Sequence, residues 1–122
     1  MLIPKISSKS GLFTVSLPSS KSISNRALIL KSLSKGKINI YNLSEAEDTV
    51  KLKHLLQSND NVLDAGDAGT TLRFLVAYCC AANRRAIITG SDRMKQRPLK
   101  PLVDALLSLS FNIKYLAEEG FP

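Results

Sequence analysis

The sequence is poor in the residues that most often carry catalysis or cross-linking: no tryptophan, one histidine and two cysteines in 122 positions. His54 lies in Lys51-Leu52-Lys53-His54, with no second histidine or carboxylate cluster beside it, and reads as a helix-surface residue. Cys79 and Cys80 are adjacent, so they fit neither disulfide geometry nor the spaced ligand pairs of a zinc site. Within Val76-Ala77-Tyr78-Cys79-Cys80-Ala81-Ala82 no activating partner is near in sequence, and both read as core packing rather than nucleophiles. No metal site is expected. Long apolar runs are also lacking: Leu72 to Ala82 is interrupted by Arg73, so no membrane span is expected. Met1-Leu2-Ile3-Pro4-Lys5 is not followed by a signal-peptide pattern, and a cytoplasmic setting is expected.

What is present is an ordinary globular composition, 44% apolar and 22% charged, with the length of about one domain. Seventeen Lys and Arg oppose ten Asp and Glu, a formal net charge of +7. Such a balance suits nucleic acid, an acidic membrane or anionic small molecules, and only the placement of the charges discriminates.

Hydrophobic periodicity alternates strand and helix. Leu12 to Leu17 reads as a strand ended by Pro18. Ser22 to Ser34 reads as a helix with Ile23, Ala27 and Leu30 on one face, Ile29 and Leu33 alongside, and Gly36 as its stop. Lys37 to Tyr41 reads as a strand, and Ser44 or Asp48 as the cap of a helix through Leu56. Val62-Leu63 is a short strand, Gly69 to Ala82 a helix, and Ala86 to Thr89 a strand. A helix with Pro98 and Pro101 in its first turn continues to Leu109, and Phe111 to Leu116 closes as a strand. The sum is β-α-β-α-β-α-β-α-β, a layered α/β arrangement. A weak internal repeat relates Lys37–Leu56 to Arg85–Leu106.

Three basic or glycine-rich segments each sit where a strand or loop passes into a helix. The first helical turn exposes unpaired N–H groups and the positive end of the dipole, which attract phosphate and carboxylate. In Leu17-Pro18-Ser19-Ser20-Lys21-Ser22-Ile23-Ser24-Asn25-Arg26, Ser22 and Arg26 share a face at i, i+4 while Lys21 adds a point charge. In Asp64-Ala65-Gly66-Asp67-Ala68-Gly69-Thr70-Thr71-Leu72-Arg73, two glycines three apart let the backbone approach a ligand, and Arg73 lies one turn further in. This is neither a Walker loop nor a dinucleotide fingerprint. Gly90-Ser91-Asp92-Arg93-Met94-Lys95-Gln96-Arg97-Pro98 places three cations in five residues. Each segment alone also fits a plain cap, a glycine turn or a solvated charged surface.

Together, in this order, they resemble the enolpyruvyl transferases, in particular the 3-phosphoshikimate 1-carboxyvinyltransferase (EPSP synthase) family. Ser20-Lys21-Ser22-Ile23-Ser24-Asn25-Arg26 is the most specific match, with Ala68 to Arg73 and Asp92 to Pro98 close behind; the likeness runs from about Leu12 to Glu119. The resemblance implies an inside-out α/β barrel of repeated β-α-β-α-β units, of which this chain holds an incomplete first domain. Residues 1–16 would form an N-terminal strand segment packing with the other domain, and 17–122 part of a substrate-binding domain.

It further implies that Lys21 contacts both substrates, that Ser22 and Arg26 hold shikimate 3-phosphate, and that Gly69 and Arg93 bind phosphoenolpyruvate. Lys21 and Arg93 would act in catalysis, with Asp67, Thr70, Arg73 and Arg97 supporting. The implied reaction needs no metal or organic cofactor, and its partners are the two small substrates, with no nucleic acid or membrane. The full-length protein would be a monomer in the shikimate pathway to chorismate and aromatic amino acids.

The sequence departs from the pattern in places. Asp67 stands where Asn is frequent, Ser19-Ser20 where Gly is frequent, and the Leu56–Gly66 connection is short enough to lack a strand pair. The Ser-Ser-Gln segment and the Asp, Glu and Lys acid–base groups of the family have no counterpart, so no turnover is expected of this chain alone. The sister enzyme, UDP-N-acetylglucosamine enolpyruvyl transferase, normally has Asn-Ala after its lysine and a cysteine in the loop matching Asp92–Arg97; this sequence has neither. A nucleic-acid module fits the charge, yet the aromatics do not interleave with the basic residues. A fragment with only a structural role is the third alternative.

Overall fold

The computed structural model describes residues 14, 16–35 and 37–122. Half of the expected first strand, Leu12 to Leu17, and the expected stop at Gly36 lie outside them. The elements in chain order are α1 (Lys21–Leu33), α2 (Glu47–Gln57), β1 (Val62–Asp64), α3 (Gly69–Ala81), β2 (Ile87–Thr89), a 3-10 turn (Met94–Gln96) and α4 (Lys100–Ser108). This is a mixed α/β arrangement of helices with few strands, and no barrel of repeated units is seen among the described residues.

β1 and β2 pair in parallel with Val62 opposite Ile87, Leu63 opposite Ile88 and Asp64 opposite Thr89. A parallel pair needs a crossover, and α3 supplies it. Leu63, Leu72 and Leu75 are fully buried there and join Leu52, Met94 and Val103 in one core. Burying each such side chain stabilises the fold by roughly 1.5–3 kcal/mol.

Two expected strands do not form among the described residues. Phe111, Ile113 and Tyr115 do alternate with exposed neighbours and pack on the core, but no strand lies alongside to complete a ladder. Lys37 to Tyr41 likewise finds no partner, and only Ile40 reaches the core. The suggested repeat is therefore matched in its helices, α2 and α4, but not in its first strand.

The orientation of α1 reverses the expectation. Ile23 and Leu30 are exposed, whereas Ser24, Asn25 and Leu28 are buried. Hydrogen bonding decides it: the Ser44 N–H donates to Ser24 Oγ at 2.9 Å, and Lys21 pairs with Asp48, so the polar side of α1 faces α2. The cap of α2 also differs. Ala46 occupies the N-cap position with no side-chain bond, Ser44 Oγ accepts the Ala46 N–H at 3.2 Å, and Asp48 lies inside the first turn. Pro101 sits in the first turn of α4, while Pro98 precedes that helix.

Arg84 closes the short passage from α2 to β1. Its guanidinium donates to the carbonyls of Leu55 at 3.4 Å, Ser58 at 2.8 Å and Asp60 at 3.0 Å, supplying partners at a helix end. Arg84→Ala is expected to destabilise the fold by about 1–3 kcal/mol, measured by chemical denaturation; an unchanged midpoint would contradict it.

The C-terminal tail docks on α4. The N–H groups of Leu99 and Lys100 donate to the Gly120 carbonyl at 2.7 and 3.2 Å, and Lys100 Nζ reaches Glu119 at 2.9 Å and Asp104 at 3.4 Å. The hydrogen bond from Lys100 holds the Glu119 carboxyl below its ordinary value. The bond to Glu119, then that to Asp104, raises the Lys100 ammonium above its own. A lowered carboxyl favours docking above its unfolded value and loses that advantage as pH falls through its folded one; a raised ammonium loses its share as pH rises through its folded value. Protection of the Leu99 and Lys100 amides, taken relative to the intrinsic exchange rate at each pH, should therefore fall on acidification through the carboxylate range and again in strong alkali. A flat profile would contradict this.

Candidate functional site

Because β1 and β2 run parallel, both release their chains at one edge, the usual place for ligands in such sheets. The two loops that leave are bonded together. Ala65 N–H donates to Thr89 O at 2.8 Å, and Ser91 N–H donates to Gly66 O at 3.1 Å. Contact is so close that a Cβ on Gly90 would lie 2.7 Å from Gly66 O and 2.7 Å from Met94 Cγ. Gly66 has φ +56° and donates its N–H to Asp64 Oδ1 at 2.7 Å, a turn that glycine adopts without strain.

α3 starts from this junction. Its N-cap residue, Ala68, offers no side-chain oxygen to the first-turn amides. Two guanidinium groups reach the same turn: a Cβ placed on Gly69 would meet Arg97 Nη1 at 3.0 Å and Arg73 Nη1 at 3.2 Å. Arg73 is held there by Gly69 O at 3.1 Å and Pro98 O at 3.0 Å. Two like charges beside one glycine, at the positive end of a helix, form a place suited to an anion.

Asp67, whose carboxylate would disfavour an anion unless paired, is engaged. Its Oδ1 accepts from the Ser91 hydroxyl, and Ser91 Oγ accepts the Met94 N–H at 3.2 Å, so this carboxylate joins the two loops. Thr70 is exposed on the first turn of α3. Arg93 is exposed on the second loop and is not among the atoms nearest Gly69. Lys95 pairs with Asp92 at 3.1 Å.

The first segment forms the start of α1. Ser20 caps it, accepting the Ile23 N–H at 3.4 Å. Lys21 Nζ lies 3.0 Å from Asp48 Oδ2, and Ser22 and Arg26 are exposed. Thr71 Oγ1 donates to the Asp48 carbonyl at 3.1 Å, so the starts of α1, α2 and α3 meet at one place. The structure thus brings Gly69, Arg73 and Arg97 together, joins Lys21 to α3 through Asp48, and leaves Ser22, Arg26 and Arg93 exposed. Sequence reasoning missed Asp48, Thr71 and Ser91, whose roles depend on partners more than twenty residues away.

Burial pushes the Cys79 thiol up, with Cys80 adding to this and Arg84 opposing it, and burial likewise raises Cys80. Raised thiols are poor nucleophiles at neutral pH, consistent with core packing.

The fold and site define a class, an α/β unit with basic helix starts arranged for an anionic ligand. The family profile of EPSP synthase (3-phosphoshikimate 1-carboxyvinyltransferase) matches residues 11–58 and 51–122, nearly the whole chain. The chain belongs to the EPSP synthase family.

Relatives agree with this assignment. A 3-phosphoshikimate 1-carboxyvinyltransferase of Bacteroides fragilis strain YCH46 is 50% identical over 110 residues, covering 89% of this chain and 27% of that protein. One from Mannheimia succiniciproducens is 37% identical over 140 residues, covering 89% and 32%. One from Shewanella sediminis is 38% identical over 135 residues, covering 89% and 32%. The chain therefore spans about a third or less of these relatives' length. The Mannheimia alignment, at 140 positions, exceeds this chain's 122 residues, so that relative carries segments absent here. The two profile matches meet at 51–58, at the end of α2, before the connection that Arg84 closes.

Proposed function

We propose that this chain is a substrate-binding part of a 3-phosphoshikimate 1-carboxyvinyltransferase, which transfers the enolpyruvyl group of phosphoenolpyruvate to the 5-hydroxyl of shikimate 3-phosphate. The observation that carries this reading is the convergence of Arg73 and Arg97 on Gly69 at the uncapped start of α3. Two polyanions must be held together against their mutual repulsion, and fixed cations lower that cost.

In this account Lys21 contacts both substrates, while Ser22 and Arg26 hold the 3-phosphate. Gly69 lets phosphoenolpyruvate approach the α3 amides, with Arg73 and Arg97 beside it and Arg93 turning in from its loop. The hydroxyl gives up its proton as its oxygen adds to C2 of phosphoenolpyruvate and C3 takes a proton; phosphate then leaves C2 of the tetrahedral intermediate as C3 loses a proton, which restores the double bond. The cations neutralise charge on the departing phosphate. Residues 17–122 act as part of one substrate-binding domain of an inside-out α/β barrel, and 1–16 as a strand segment belonging with the other domain. The complete protein works as a cytoplasmic monomer without cofactor, in the route to chorismate and aromatic amino acids. The 122 residues alone give no turnover, because the acid–base groups implied by the family pattern have no counterpart among them.

The test is a transplant. The matching segment of the Bacteroides fragilis relative is replaced by this one, at 50% identity over 110 residues. The chimera should release phosphate from phosphoenolpyruvate only when shikimate 3-phosphate is present. A folded chimera with no such activity would overturn the proposal.

A further inference from the structure

All five buried polar side chains among the described residues, Ser24, Asn25, Ser44, Thr49 and Thr71, lie near the starts of α1, α2 and α3. The Asn25 amide and the Thr49 hydroxyl have no hydrogen-bond partner there. Buried polar groups without partners are costly, so stability does not explain the polarity of this seam. Asp48 stands where its bonds cross. Its carboxylate holds Lys21 Nζ at 3.0 Å, and its main-chain oxygen takes the Thr71 hydroxyl at 3.1 Å. One residue thus touches both α1, which carries Lys21, and the α3 turn, which carries Gly69.

The geometry points to Asp48 as a positioning residue that sets Lys21 and the α3 start in register for one shared anion. This rests on the reading above that Lys21 and Gly69 face the same ligand pair. Lys21 keeps about half its side-chain exposure, 51%, so the ion pair contributes little to stability. Its value lies in placement: a lysine has four rotatable stem bonds, and the pair removes that freedom before a ligand arrives. Two ammonium donors remain for substrate. The sign of the effect is diagnostic. Coulomb repulsion alone would make loss of the Asp48 charge tighten anion binding; loss of positioning weakens it.

The test uses the 15N-labelled 122-residue chain, with Asp48→Asn and Asp48→Glu, titrated with inorganic phosphate and with shikimate 3-phosphate. Without ligand, Asp48→Asn should move the amide signals of Gly69, Thr70 and Thr71 more than those of α4. The dissociation constant for shikimate 3-phosphate should rise about threefold to tenfold, and Asp48→Glu should restore most of the loss. Equal or tighter binding by Asp48→Asn, or unmoved α3 signals, would overturn the inference. If the wild-type chain binds neither probe, the functional reading fails by itself. The ligand-free comparison then still decides on the coupling, supported by moved α3 signals and refuted by unmoved ones.

Discussion

Replacing Lys21 with methionine in the transplanted enzyme is expected to weaken both shikimate 3-phosphate and phosphoenolpyruvate, each by about tenfold to a hundredfold. That range corresponds to losing one charge-assisted hydrogen bond to each ligand, about 1.5–3 kcal/mol. Methionine keeps most of the stem's length and its apolar packing, so the change removes charge rather than volume. Folding stability should hardly respond, because the Lys21–Asp48 pair is half exposed and such pairs contribute about 0–1 kcal/mol. Steady-state kinetics with each substrate varied in turn, beside a thermal melt, would separate the two. A loss confined to one substrate would contradict the double role given to Lys21. A large fall in melting temperature would indicate a structural role instead.

The second large effect is expected from Gly69→Ala. The new methyl would stand 3.0 Å from Arg97 Nη1, 3.2 Å from Arg73 Nη1 and 3.5 Å from Met94 Cε. All three are ends of flexible side chains, so the fold can yield. The φ of Gly69 is not positive, and alanine is the better helix former by about 1 kcal/mol. Stability should therefore hold or rise slightly. Binding should not. The methyl occupies the space between the two guanidinium groups where an anion would approach the α3 amides, and phosphoenolpyruvate affinity should fall by about tenfold or more. The measurement is the KM for phosphoenolpyruvate in the transplanted enzyme together with its melting temperature. An unchanged KM would move the anion away from Gly69; a collapsed melt would make the glycine purely structural.

Both predictions concern residues whose importance is legible in sequence, but the reason for it is only partly so. Local signals act within a turn or two, and there the reading agrees with the structure. Gly69 to Ala82 is read as the helix that α3 forms, a plain cap before the first helix is among the readings, and Val62-Leu63 and Ala86–Thr89 fall within or beside the two strands. The convergence of Arg73 and Arg97 depends on the parallel register of β1 and β2, which brings segments about twenty-five residues apart to one edge. No pattern of hydrophobicity contains that register.

The errors have the same physical origin. α1 turns its Ile23 and Leu30 outward because Ser24 and Lys21 find polar partners across the seam, which an apolar-face reading cannot see. Phe111 to Tyr115 has the alternation of a strand and the half-burial of one, yet alternation does not provide a neighbouring ladder. Asp48 reads as a helix cap; its carboxylate instead reaches back 27 residues to Lys21.

The central claim is that three separated basic segments make one anion site. Backbone amide titration of the 122-residue chain with shikimate 3-phosphate and phosphoenolpyruvate together tests it most directly. The account predicts that signals of Lys21–Arg26, Gly69–Arg73 and Asp92–Arg97 move with one shared dissociation constant. Small shifts scattered over the lysines and arginines of all faces, each with its own weak affinity, would contradict it.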